Sequence, residues 1–178
     1  MSYVFQSTTL GLNPIASTIA ASADTGPAPA GRSTPGRLGA IEKAYDPVFG
    51  TAEFIYLLGV VGTLPGMLVE YDATTFQTTL SPNTGNDENP VAVAMSANVA
   101  GQYGWYCIEG VVPMLKTAVQ VLPNAKIYQS ATAGRIMPTS ASGKQILGAR
   151  GANLTTVTAT TSTVAVLISR PTKEGQIT

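Results

Sequence analysis

Histidine is absent from this chain, and its single cysteine, Cys107, has no second thiol to meet. Those two counts remove nucleophile–His–Asp and Cys–His catalysis, a zinc site built on His and Cys, and any intrachain disulfide. What remains for chemistry is a few carboxylates, one Ser–Gly–Lys step and an aromatic stretch. Ser142 and Lys144 flank Gly143, but Ser and Gly at a turn serve the backbone. A phosphate loop fails there too, because Gln145 stands where a hydroxyl is needed. Glu70 and Asp72 alternate and project to one face of a strand; two carboxylates across a cleft could serve a glycosidase. Asp87 and Glu88 fall in a loop rich in Pro, Asn and Gly, residues 81–90. It lacks the Asp/Asn alternation of a calcium loop and is read as solvated. No metal and no cofactor is expected, and no enzyme activity. Tyr103 and Trp105 share one face of an alternating segment, with Tyr106 on the other. They could form a sugar-stacking platform, but a place in the core or an interface is the stronger reading. Cys107, in the same apolar setting, reads as an inert buried thiol.

The elements that must position these residues are strands. From residue 50 onward, short runs rich in β-branched and aromatic residues recur at intervals of roughly ten residues, punctuated by Gly and Pro. Strands are expected near 52–62, 67–72, 75–80, 91–96, 103–112, 125–130, 144–147 and 161–169, with 119–122 as a short helical or strand connection. The last strand is expected to end at Arg170–Pro171, leaving a polar, mobile tail from Thr172. No stretch carries the apolar period of a long helix. The fold expected is all-β, a small barrel or sandwich of short antiparallel strands with an extended N-terminal arm. Residues 54–69 are apolar but shorter than the roughly 20 residues a spanning helix needs. Gly59, Gly62, Pro65 and Gly66 interrupt them, so they read as two buried strands and no membrane is expected.

Residues 1–49 have a different texture, dominated by Ser, Thr, Ala, Gly and Pro. Such a segment cannot bury enough apolar area alone to offset its chain entropy. Tyr3, Phe5, Leu10, Leu12 and Ile15 are nevertheless spaced as anchors, so the division expected is an extended arm, 1–49, and a β-rich domain, 50–178. Deleting residues 2–36 is expected to leave the melting temperature of the domain nearly unchanged. Only 11% of the residues are charged and the formal net charge is zero. Little keeps copies of such a chain apart, which favours self-association. Lys and Arg occur without any basic run, so the electrostatic footprint of a nucleic-acid binder is missing.

The segment from Pro90 to Gly110, centred on Gln102, Tyr103, Gly104, Trp105 and Tyr106, resembles small head decoration (capsid cement) proteins of tailed bacteriophages. Residues 54–62, 66–72, 125–134 and 165–171 fit the same pattern, and the resemblance spans about residues 50 to 171. It implies a structural virion protein on the capsid exterior, made in the host cytoplasm. Such a protein binds the major capsid protein, often as a homotrimer, and joins neighbouring capsomers. Tyr3, Phe5, Leu10, Leu12, Ile15, Tyr103 and Trp105 are then the interface and anchor candidates. Two alternatives stay open: a carbohydrate- or receptor-binding virion module using Trp105, Tyr103 and the Asp87–Glu88 loop, and a hydrolase using paired carboxylates.

Overall fold

A computed structural model of the chain describes residues 3–5, 18–20, 38–98 and 101–175, with only the backbone described at Phe5 and at 18–20. Among them every named strand pairing is antiparallel and there is no helix. The elements are β1 (Val4–Phe5), β2 (Thr18–Ala20), β3 (Ile41–Asp46), β4 (Gly50–Leu58), β5 (Leu68–Tyr71), β6 (Thr78–Leu80), β7 (Val91–Ala94), β8 (Gln102–Leu115), β9 (Lys126–Gln129), β10 (Ile136–Met137), β11 (Gln145–Gly151) and β12 (Thr163–Lys173).

The long strand β8 organises the molecule. Its first half pairs with β4, from Tyr103↔Leu58 to Glu109↔Glu53, and its second half pairs with β12, from Glu109↔Ser169 to Leu115↔Thr163. β12 continues to β11, β9 and β10. On the same edge as β12 and opposite β4, the first half of β8 pairs with β7, β7 with β5 and β5 with β6. The sheet then curls until the start of β6 meets the end of β4. Gln77 bridges Leu58, Leu58 N donates to Phe76 O at 3.0 Å, and Thr78 Oγ1 donates to Leu58 O at 2.8 Å. β4, β8, β7, β5 and β6 thus close into a small barrel.

Period-two alternation fills both faces of this barrel wall. Ile55, Leu57, Val69, Ala92, Ala94, Tyr106 and Ile108 form the core inside it, with Tyr71, Phe76 and Leu80 packed against them. Small alanines on β7 leave room for the Tyr106 ring. The opposite face carries Phe54, Tyr56, Leu68, Val91, Val93, Trp105 and Cys107. These pack into a larger core with Val112, Met114, Ile127, Ile146, Val164, Val166 and Ile168 from the far half of β8 and from β9, β11 and β12.

One bulge lets β8 serve that larger core at both ends. Cys107 and Val112 both point into it although their positions have opposite parity. The register against β4 slips between Glu53 and Phe54, and Gly110 sits at φ +112°. A Cβ at Gly110 would lie 2.7 Å from Ala52 Cβ, so glycine is required there for both conformation and space.

The sheet begins earlier and ends later than the sequence indicates. β3 pairs with β4 through residues 41–46, so the stretch assigned to the arm up to residue 49 includes an integral strand. β12 does not stop at Arg170–Pro171. It continues to Lys173, and Thr172 and Lys173 pair with Leu147 and Ile146 of β11. The 119–122 connection is neither helix nor named strand; Val121 makes an isolated bridge with Val157.

Candidate functional site

β12 passes through its own bulge at Arg170, which has φ +42°. Val164, Val166 and Ile168 face the core; three residues, Ser169 to Pro171, then stand opposite Gly148 alone, and parity inverts. Continued alternation would have turned Lys173 away from the core. After the bulge its side chain is completely buried. Lys173 N donates to Asn89 O at 3.0 Å, and Thr172 bridges Pro90, which ties the strand end to the 81–90 loop.

The Lys173 ammonium there meets two carboxylates. Glu70 shares the inward face of β5 with Leu68, and its Oε1 lies 2.7 Å from Lys173 Nζ. Asp87 Oδ2, from the loop, lies 2.5 Å from the same nitrogen. Neutral donors complete the surroundings. Ser81 Oγ donates to Glu70 Oε1 at 3.0 Å, Asn89 Nδ2 to Glu70 Oε2 at 3.1 Å, and Thr84 Oγ1 to Asp87 Oδ2 at 3.0 Å. Among the described residues Asp87 Oδ1 is buried without a hydrogen-bond partner. The loop itself is pinned, with Asn86 N donating to Gly143 O at 2.9 Å and Lys144 Nζ to Asn83 Oδ1 at 2.5 Å. A groove of about 330 Å³ runs alongside, with Glu70, Asn89, Tyr71, Asp72 and Gln77 in its wall.

These placements revise several expectations. Asp87 is not a free loop carboxylate: its side chain, 26% exposed, is one of the two counter-ions of a buried lysine. Glu70 and Asp72 both border that groove but sit in different settings. Glu70 is buried, whereas Asp72 is exposed beyond the strand end, where its Oδ1 accepts from Thr74 N at 2.9 Å and Thr75 N at 2.6 Å. Those two backbone donors, Thr75 first, hold its carboxyl below the usual range. Ser142 and Lys144 lie on the turn into β11, with Lys144 N bonded to Ala141 O at 3.2 Å and its ammonium spent on Asn83.

The aromatic candidates are internal. Trp105 is 0% exposed and tilts against Tyr56 at 5.0 Å between ring centroids. Tyr103 stacks on Tyr56 at 6.1 Å and is also buried. Neither is presented to a sugar or to another subunit. Tyr3 joins the same core, edge-on to Phe54 at 4.9 Å, and its hydroxyl donates to Val111 O at 2.6 Å. It anchors the arm to its own domain rather than to a neighbour. Phe5 pairs through its backbone with Ala44; Leu10, Leu12 and Ile15 lie outside the described residues. Burial pushes the Cys107 thiol up to about 12.

The residue that sequence reasoning missed is Lys173, assigned to the tail. A lysine two positions past an Arg–Pro pair carries no signal by itself. The inverted parity at Arg170 exists only in the paired strand. Among the described residues no group of His, Cys, Asp or Glu could hold a metal ion, and no helix is long and apolar enough to cross a membrane. No protein-family model matches the chain, and no curated protein matches it significantly.

Proposed function

We propose that the chain is a structural virion protein that binds the outer surface of a phage capsid and cements neighbouring capsomers. Its partners are the major capsid protein and further copies of itself, as a trimer. The observation that carries this reading is an apolar strip on the sheet edge where the arm joins. Val4 of β1 lies opposite Tyr45 of β3, and they are 68% and 49% exposed; Val48, in the following turn, is 80% exposed. Apolar residues grouped at an edge mark a contact surface more often than solitary ones do. The strip is held rigidly, because Asp46 Oδ1 accepts from Val48 N at 2.8 Å and Phe49 N at 3.1 Å. The resemblance over residues 50 to 171, the zero net charge and the low charged fraction of 11% favour the same reading. The sugar-stacking alternative loses its platform, since Trp105 and Tyr103 are inside the molecule.

The test is co-sedimentation of purified protein with undecorated shells. Wild-type protein is expected to bind saturably, and Tyr45→Asp and Val48→Asp to bind at least tenfold more weakly with unchanged Trp105 emission. Failure of the wild type to bind shells, together with saturable binding to glycans, would overturn the reading.

A further inference from the structure

We propose that Lys173 and Asp87 condense into an intramolecular amide bond, with Glu70 carrying the proton, so that β12 is covalently locked to the 81–90 loop. Three ionisable side chains from separate segments meet here: a fully buried lysine, with Asp87 Oδ2 2.5 Å and Glu70 Oε1 2.7 Å from its nitrogen. An amine held this close to a carboxyl is near the geometry of attack, and such preorganisation is what makes intramolecular condensations fast.

The ionic arrangement is costly to keep. One ammonium faces two carboxylates; Lys173 and Glu70 are buried while the Asp87 side chain is 26% exposed, and buried ions forfeit hydration that their attraction only partly restores. Among the described residues Asp87 Oδ1 adds a buried acceptor with no donor. An amide is neutral and removes the Lys173 and Asp87 charges together, leaving the net charge of the site unchanged and carried by Glu70 alone. Glu70 is fixed for its part, because Ser81 and Asn89 each donate to one of its oxygens at 3.0 and 3.1 Å. Thr84 Oγ1, donating to Asp87 Oδ2 at 3.0 Å, polarises the carboxyl under attack.

The step balances without a co-reactant. A proton passes from the Lys173 ammonium through Glu70 to Asp87, giving a free amine and a neutral acid. Nζ then adds to Asp87 Cγ and a C–N bond forms. Glu70 takes the proton that nitrogen sheds and delivers it to the departing hydroxyl. The C–O bond breaks, one water leaves, and Glu70 ends in its starting state. The link joins residues 86 positions apart and closes the end of the last strand against peeling. It stands independently of the capsid reading.

The experiment is an intact-mass measurement of the full chain, denatured after it has folded, with a proteolytic digest of the same sample. The wild type is expected to be lighter than its sequence by one water, with the loss mapped to a branched peptide joining Asp87 and Lys173. Lys173→Arg keeps the positive charge but supplies no amine nucleophile, and is expected to fold and retain full mass. Glu70→Gln is expected to stay unlinked, and Asp87→Asn to lose one ammonia instead of one water. Trp105 emission reports that each variant is folded. A folded wild type that keeps its full mass after prolonged incubation overturns the proposal, whatever the variants do. So does a water loss that maps elsewhere, for instance to a succinimide. A Glu70→Gln chain that condenses as fast as the wild type overturns the role of Glu70.

Discussion

Trp105 and Cys107 stand on the same face of β8, beside their cross-strand neighbours Tyr56 and Phe54 of β4, all pointing into the larger core. Deleting the indole leaves a large cavity between two halves of the sheet that cannot collapse onto each other. Trp105→Ala is therefore expected to cost about 3–5 kcal/mol, measured by urea denaturation. Cys107 makes a prediction about pH. Its folded thiol is held neutral up to about 12 by burial, whereas an unfolded thiol ionises in the ordinary range. Above that ordinary range the unfolded state binds fewer protons, so stability falls as pH rises towards the folded value. Cys107→Ala should flatten this alkaline limb in melts recorded across pH. Native wild-type protein should also resist thiol reagents at mildly alkaline pH and react once unfolded.

At the level of single elements, the bulges and the strand ends decide most. Gly110→Ala places a methyl on Ala52 and forces a conformation that side chains avoid, so it should destabilise by about 2–3 kcal/mol, combining overpacking and backbone strain. The first strand is part of the domain. Deleting residues 2–36 should lower the melting temperature, against the expectation drawn from composition, because Tyr3 leaves the face of Phe54 and Val111 O loses its donor. Tyr3→Phe isolates the hydroxyl and should cost about 1 kcal/mol in a thermal or urea melt. The C-terminal strand behaves likewise. Ending the chain after Pro171 leaves buried Glu70 without Lys173, a loss of about 3–5 kcal/mol as for a broken buried pair, and calorimetry on the truncated chain checks it.

For the molecule as a whole, two cores share one wall: a small barrel interior and the larger layer between that barrel and the β12–β11–β9 sheet. Surface charge is sparse, and part of it is engaged. Arg170 Nη2 lies 2.6 Å from Glu53 Oε2, and Lys43 Nζ lies 3.3 Å from Glu53 Oε1. With so little net repulsion between copies, the protein is expected to self-associate, as a trimer if it is a cement protein. Multi-angle light scattering of free and shell-bound protein checks this, and monomers in both settings would contradict it.

The sequence by itself determined the class of fold and most of its elements. Period-two apolar runs cut by Gly and Pro have few ways to bury themselves other than as short antiparallel strands, and the segments around Phe54, Leu68, Val91, Trp105, Ile127 and Val164 were all readable on that ground. It also placed Trp105 and Cys107 among buried residues, because strong strand formers flank them on both sides. Tertiary structure alone decided everything that depends on register. A bulge inverts which face a residue takes without changing any residue type, so the inward turn of Lys173 after Arg170 was invisible along the chain. Pairing likewise decided that β3 belongs to the sheet and that Tyr3 packs on Phe54, because an edge strand too polar to bury itself is recognised only by the partner that completes it. The meeting of Glu70, Asp87 and Lys173 is the furthest from local pattern. Glu70 read as half of a strand pair, Asp87 as part of a solvated loop and Lys173 as part of a mobile tail, and only the closing of the barrel against the last strand brings the three together.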